Sequence, residues 1–291
     1  MKILIAYDGS AFADAAIEDL RYAGFPPEND VKVVSVAPSQ GKACMQETGA
    51  LAERALARIR FQFPAWNVTS ETLLGEPADT LQKTILRWNP DLVVMGSHGR
   101  SAIARLLLGS VSLNVVHHAP CSVRVARAGV RRANSPERLL VATDGSPEGT
   151  AAVDAVARRS WPEGTQVRVV SVAETLVAAV PQLVPVLDGG SYESATAMLT
   201  AEAADQRERA RLQSVADESA ALLQAMGLTA TAAVLEGNPR SEVVAAADRW
   251  RADTVFVGAR GLGALDRLLL GSVSTALVTH AQCTVEVVRH L

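Results

Sequence analysis

The chain reads as an α/β protein written twice, each copy built on a parallel sheet with helices on both faces. Three observations predict this. Short β-branched runs alternate with stretches of helical spacing, which implies parallel strands joined by helical crossovers. Some of the runs, such as VKVVSVA and DLVVMG, are almost wholly apolar, as strands buried on both faces are. The same landmarks also recur at fixed offsets along the 291 residues.

In the first copy, ILIAY (3–7) is strand one, and AFADAAIEDLRYAG (11–24) has helical spacing. VKVVSVA (31–37) is strand two, followed by the helical GALAERALARIRFQF (49–63). VTSETLLG (68–75), DLVVMG (91–96) and SVRVA (122–126) complete five strands. The second copy repeats the pattern: Asp8 and Val36 pair with Asp144 and Val172 at an offset of 136. From Gly75 and Gly237 onward the offset is 162, so 26 extra residues lie between Val172 and Gly237. The Arg-, Gly- and Pro-containing ARAGVRRANSPER separates the copies. This predicts a first domain over 1–128, a linker over 129–136 and a second domain over 137–291.

The added stretch opens with Pro and Gly breaks and continues as an Ala-, Glu- and Arg-rich helical pattern. Two readings stand: an extended helix with a solvated face, or a lid over a site or a partner surface.

Composition excludes several classes. A net charge of −3 gives no field to attract nucleic acid or an anionic membrane surface. No window approaches the roughly 18 apolar residues of a spanning helix. The N-terminal run is broken at Asp8 before it reaches the length of a signal-peptide core. Cys44, Cys121 and Cys283 show neither disulfide nor zinc spacing, which points to a reducing cytoplasm.

The candidate chemistry lies in GSHGRSAIARLLLGS and GARGLGALDRLLLGS. Gly96, Gly99 and Gly109 precede Ser110 with two and nine residues between the glycines, and Gly258, Gly261 and Gly271 precede Ser272 with the same spacing. Glycine after a buried strand permits a positive-φ turn and lets a ligand approach the main chain. The Gly-Ser pair opens a helical pattern whose free N–H groups suit an anion such as a phosphate. Asp8 and Asp144 close strand one at the same sheet edge. They are either groups for ribose or base donors or turn residues in Asp-Gly-Ser. Val36 and Val172 would offer main-chain atoms to an adenine edge. His98, Arg100, Arg105, Arg260 and Arg267 are phosphate-touching or merely solvated loop charges. His117, His118 and His280 suit the helix C-terminal dipole, and Cys121 and Cys283 suit buried core thiols. No phosphate-loop lysine motif, GxGxxG turn, nucleophile elbow, HExxH pair or twice-repeated catalytic set occurs, so no catalytic residue and no enzymatic role are assigned.

At these residues the chain closely resembles the universal stress protein family in its tandem form. Both G-2x-G-9x-G-S motifs, the first-strand aspartates, Gly75-Glu76-Pro77 with Gly237-Asn238-Pro239, and the HAPCSVRVAR ending carry the resemblance. Ala-Gln-Cys at 281–283 departs from the usual Ala-Pro-Cys. The resemblance implies two Rossmann-like domains, each a five-stranded parallel sheet of order 3-2-1-4-5, with strand five at a domain or subunit contact and a homodimer as the assembly. It implies ATP binding, with magnesium compatible, through Asp8, Val36, Gly96, Gly99, Gly109 and Ser110, and through Asp144, Val172, Gly258, Gly261, Gly271 and Ser272. Val111, Ser112, Val273 and Ser274 extend the set. It further implies a nucleotide-dependent regulator of stress survival with at most slow hydrolysis. The alternatives are a nucleotide-free dimerising scaffold and an adenylyl-transfer enzyme, the latter short of the paired glycines its loop needs after strand one.

Overall fold

A computed structural model describes residues 1–38, 40–99, 108–127, 136–174, 190–261 and 270–290, with backbone alone for 190–199. Most of the expected linker lies outside the described residues, as do Arg100, Arg105 and Arg267.

The first half runs β1 (Lys2–Ala6), α1 (Ala11–Asp19), β2 (Asp30–Ala37), α2 (Lys42–Gln62), β3 (Asn67–Leu74), α3 (Pro77–Trp88), β4 (Leu92–Gly96), α4 (Ser110–His118) and β5 (Ser122–Ala126). The second runs β6 (Arg138–Ala142), α5 (Pro147–Ala157), β7 (Gln166–Ala173), α6 (Gly190–Ala225), β8 (Thr229–Glu236), α7 (Pro239–Trp250), β9 (Thr254–Gly258), α8 (Ser272–His280) and β10 (Thr284–Val288). The expected order 3-2-1-4-5 holds in both halves. The sheets do not stay separate, however: they form one ten-stranded sheet of order β3-β2-β1-β4-β5-β10-β9-β6-β7-β8. The halves meet where β5 and β10 pair antiparallel, Arg124 opposite Glu286. The contact expected at strand five is therefore made within one chain.

Local signals set the helix boundaries. Ser10 and Ser146 cap α1 and α5, accepting from Ala13 N and Gly149 N. Pro77 and Pro239 open α3 and α7, where a missing N–H costs nothing. The strands alternate between two faces. Leu4, Val34 and Val93 pack under α3 and α4, in a core that continues across the junction to Leu277 and Val278 of α8. Ile3, Ile5, Val33 and Val94 face α1 and α2 in a separate cluster, and Leu139, Val141 and Val169 face α5 and α6 in a third.

The junction has two chemically different faces. Toward α1 and α5 it holds buried charge: Arg124 is fully buried, and its Nε donates to Asp19 Oδ2 at 2.5 Å and its Nη1 to Glu286 Oε2 at 3.0 Å. Arg159 also donates to Glu286, and Thr284 donates to Asp19 Oδ1 at 2.8 Å. Burial alone would lower the Arg124 pKa, but Asp19 and Glu286 outweigh it and raise the value. Toward α4 and α8 the halves cap each other's helices. Arg127 Nη2 donates to Val278 O at 2.6 Å, and Arg289 Nη2 donates to Val116 O at 3.0 Å. These contacts are related by the 162-residue offset and satisfy carbonyls left open at the helix ends.

Candidate nucleotide sites

Each half has a cavity outside the carboxyl ends of its strands, about 580 Å³ in the first and about 700 Å³ in the second. Asp8, Val36, Gly96, Gly99, Gly109, Ser110, Val111 and Ser112 all line the first. Asp144, Val172, Gly258, Gly261, Gly271, Ser272, Val273 and Ser274 all line the second. The structure thus brings the predicted set together twice.

The glycines are needed for close approach. No motif glycine among the described residues has positive φ, which corrects the expected turn role. A Cβ on Gly96 would stand 2.6 Å from the Phe12 carbonyl, and one on Gly258 would stand 2.7 Å from the Glu148 carbonyl, so the first helix of each half packs onto the strand end. A Cβ on Gly99 would come within 2.9 Å of Asp8 Oδ2, and one on Gly261 within 2.5 Å of Asp144 Oδ2. The carboxylates therefore reach across to the glycine loops. Positive φ falls instead on Gly9 and Gly145, at +78° each, inside Asp-Gly-Ser turns. There Asp8 Oδ1 accepts from Ser10 N at 3.0 Å and Asp144 Oδ1 from Ser146 N at 2.9 Å. The turn reading of both aspartates is correct for one oxygen, while both residues still line the cavities.

Gly109 caps α4 with no side chain over the helix start, and its own N–H goes to Ser97 O at 2.8 Å. The first backbone bond of the helix is Leu113 N to Gly109 O, so the N–H groups of Ser110, Val111 and Ser112 precede the ladder. Gly271 repeats this, with Thr275 N donating to Gly271 O. No acidic side chain stands in the first turn of either helix. The helix dipole makes these two starts electropositive. Ser112 and Ser274 are committed elsewhere: their hydroxyls donate to Gly96 O at 2.9 Å and Gly258 O at 2.6 Å, fixing the helix on the strand end.

The halves differ beside the cradle. In the first, His98 packs on Phe12 with ring centroids 4.9 Å apart, and its Nδ1 lies 3.0 Å from Ser97 Oγ. In the second, Arg260 and Glu148 occupy the matching positions and form an ion pair. His98 is buried and lines the cavity, and its Nε2 has no protein partner. Burial, with Arg127 adding to it, lowers its pKa from 6.5. The folded first half thus favours neutral imidazole. Its contribution to stability is complete above the ordinary histidine pKa and is lost as pH falls through the depressed folded value. Wild type should lose more stability than His98→Gln on going from about pH 7.5 to about pH 5, measured by denaturant midpoints. Equal losses would show that His98 does not titrate in that window.

A lid was one expected reading of the second-half helical stretch, but no α2 residue was expected at the first site, and a helix roofs each cavity. Cys44, Glu47, Thr48 and Leu51 of α2 line the first, and Asp205, Glu208, Arg211 and Leu212 of α6 line the second. The part of α6 over the second site is thus the counterpart of α2 rather than added chain, and Arg211 Nη1 donates to Asp144 O at 3.1 Å. The available signal was the register of α2 against α6: buried Ala52 and Ala216 lie 164 positions apart, as do Ile59 and Leu223. His117, His118 and His280 lie in the last turns of α4 and α8, away from these cavities. Burial holds the Cys121 and Cys283 thiols up at about 12. Among the described residues no His, Cys, Asp and Glu group could hold a metal ion, and no helix is long and apolar enough to cross a membrane.

Two α/β halves of one topology, each presenting an open helix start framed by strand-end glycines, define a duplicated α/β protein. The model of the universal stress protein family matches residues 1–127 and 136–289, and the chain belongs to that family. A universal stress protein of Mycobacterium tuberculosis is 30% identical over 230 residues, 77% of this chain and 69% of the relative. One from Methanocaldococcus jannaschii is 27% identical over 129 residues, 44% of this chain and 70% of the relative. The crystal structure of an Archaeoglobus fulgidus universal stress protein shares the fold, with TM-score 0.64 and 20% identity over 99% of this chain and 96% of that one.

Proposed function

We propose that the protein is a nucleotide-dependent regulator: ATP occupies the first cavity, a nucleotide enters the second through the same cradle, and occupancy biases conformation or partner binding. The open starts of α4 and α8, each facing a cavity with three uncommitted backbone N–H groups, carry this reading. In the first half the phosphates lie against Ser110–Ser112 and the buried His98 Nε2, with the ribose toward Asp8 and the base toward Val36. Both volumes fall in the range that encloses a small ligand. Backbone donors hold a triphosphate without activating a water, so binding without fast turnover is the expected behaviour. Magnesium would arrive with the triphosphate.

Calorimetry with ATP, adenosine and inorganic tripolyphosphate tests the two-ended site. ATP should bind at least about 10-fold more tightly than either fragment, because each meets one end alone. Adenosine binding as tightly as ATP would mean that the cradle takes no part.

A further inference from the structure

We infer that the two cradles are coupled, so that filling either one raises the affinity of the other through a closed ring of hydrogen bonds that threads both. This rests on the reading of both cavities as nucleotide sites, and it adds how one site answers to the other.

The ring starts at the first cradle. Gly109 N, at the start of α4, donates to Ser97 O at 2.8 Å, and Ser97 N donates to Ala126 O at 3.0 Å. Arg127 follows directly and crosses to the second half. Its Nη2 donates to Val278 O at 2.6 Å and Thr279 O at 3.1 Å, in the last turn of α8. The other end of that helix is the second cradle. From there the path repeats with the halves exchanged. Gly271 N donates to Ala259 O and Ala259 N to Val288 O, both at 2.7 Å. Arg289, next in the chain, donates through Nη2 to Val116 O at 3.0 Å and His117 O at 3.2 Å, in the last turn of α4. The start of α4 is the first cradle again, so the ring closes.

The crossing follows from the sheet. Val125 lies opposite Val285 and Val123 opposite Val287 in the antiparallel β5–β10 pair. Continued outward, that register sets Arg127 against Cys283, just after α8, and Arg289 against Cys121, just after α4. Each helix spans nine residues, too short to hold its shape alone. Its open N–H groups face a ligand of its own half, and its last carbonyls are held by an arginine of the other half. An anion at the start and a guanidinium at the end both act with the helix dipole. Phosphate oxygens on the first turn of α4 therefore order the helix and fix its last carbonyls on Arg289. Arg289 in turn steadies Val288, the anchor of Ala259, and with it the loop that holds Gly271. A ligand arriving at the second cradle meets donors already ordered and loses less entropy on binding. The effect is reciprocal by linkage.

The test separates the sites with Val172→Trp, which fills the base end of the second cavity, and Val36→Trp, which fills that of the first; neither residue belongs to the ring. ATP is titrated calorimetrically into the full chain, stripped of nucleotide, and into each variant, with folding checked by circular dichroism. Wild type should bind its second equivalent at least about 5-fold more tightly than either variant binds its one. In Val172→Trp, ATP should also slow hydrogen exchange at the Ala259 and Gly271 amides of the blocked half by at least about 5-fold. Arg127→Gln combined with Arg289→Gln should abolish the tighter second step and the remote protection, and leave the single-site affinity of each Trp variant unchanged. The exchange measurement leaves the ring intact, so it decides the matter even where the double arginine variant fails to fold. Equal affinities in wild type and the Trp variants with no remote protection, or protection that survives loss of both arginines, would overturn the inference and leave the nucleotide sites standing. Absence of ATP binding in wild type would overturn both.

Discussion

Replacing Arg124 by methionine is expected to destabilise the protein by about 3–5 kcal/mol, the cost of leaving buried charge without its partner. Its guanidinium is fully buried, and its three described side-chain partners, Asp19, Glu286 and Thr254, are buried too. Without it, Asp19 retains the Thr284 hydroxyl and Glu286 retains Arg159, but both carboxylates lose a buried guanidinium. The unfolding midpoint should fall by on the order of 10 °C. Apolar replacement of Arg124, Asp19 and Glu286 together should recover much of the loss, because it removes the desolvated charges instead of stranding them. A midpoint unchanged in Arg124→Met would mean that the junction does not depend on this network.

Gly109→Val is expected to weaken nucleotide binding in the first half by about 100-fold, the loss of one or two charge-assisted hydrogen bonds. The backbone at Gly109, φ −64° and ψ 149°, is one that valine adopts readily. The added Cβ meets the protein at the His98 Cα, 3.3 Å away, and at Ser97 O, 3.5 Å away, at the residue that opens α4. The damage is thus directed at the cradle. Calorimetry on this variant should lose the ATP site while binding in the second half persists, and full retention of ATP affinity would move the phosphates away from α4.

Repetition made most of this readable. Five parallel strands per half, the two glycine motifs with their aspartates and valines, and the two helix starts follow from landmarks that recur at 136 and 162 positions, while the strand order and Val111, Ser112, Val273 and Ser274 were implied by the family resemblance. What repetition could not show is what breaks it. Asp19 and Arg159 have Ala155 and Ala23 as counterparts, so the charged junction exists once and leaves no repeated trace. Arg124 and Glu286 are counterparts of opposite sign, and they pair because β5 and β10 run antiparallel, a register set by tertiary contact. The motif glycines line the cavities, but the positive φ expected of them is absent. Their φ values are ordinary, and the crowding by Phe12, Glu148 and the aspartates comes from helices that a local reading does not place. Arg211 was hidden by a third offset of 164 confined to α2 and α6, short enough to be lost between the other two.

The most direct measurement is the nucleotide content of the chain. Protein purified without added nucleotide is denatured, and whatever it releases is identified and quantified per chain, with calorimetry on stripped protein as the complement. One nucleotide per half, with ATP restoring the first cavity, is the predicted result. No nucleotide released, and no heat on titrating the stripped protein with ATP or GTP, would contradict it and leave the paired cradles as structural turns of a scaffold.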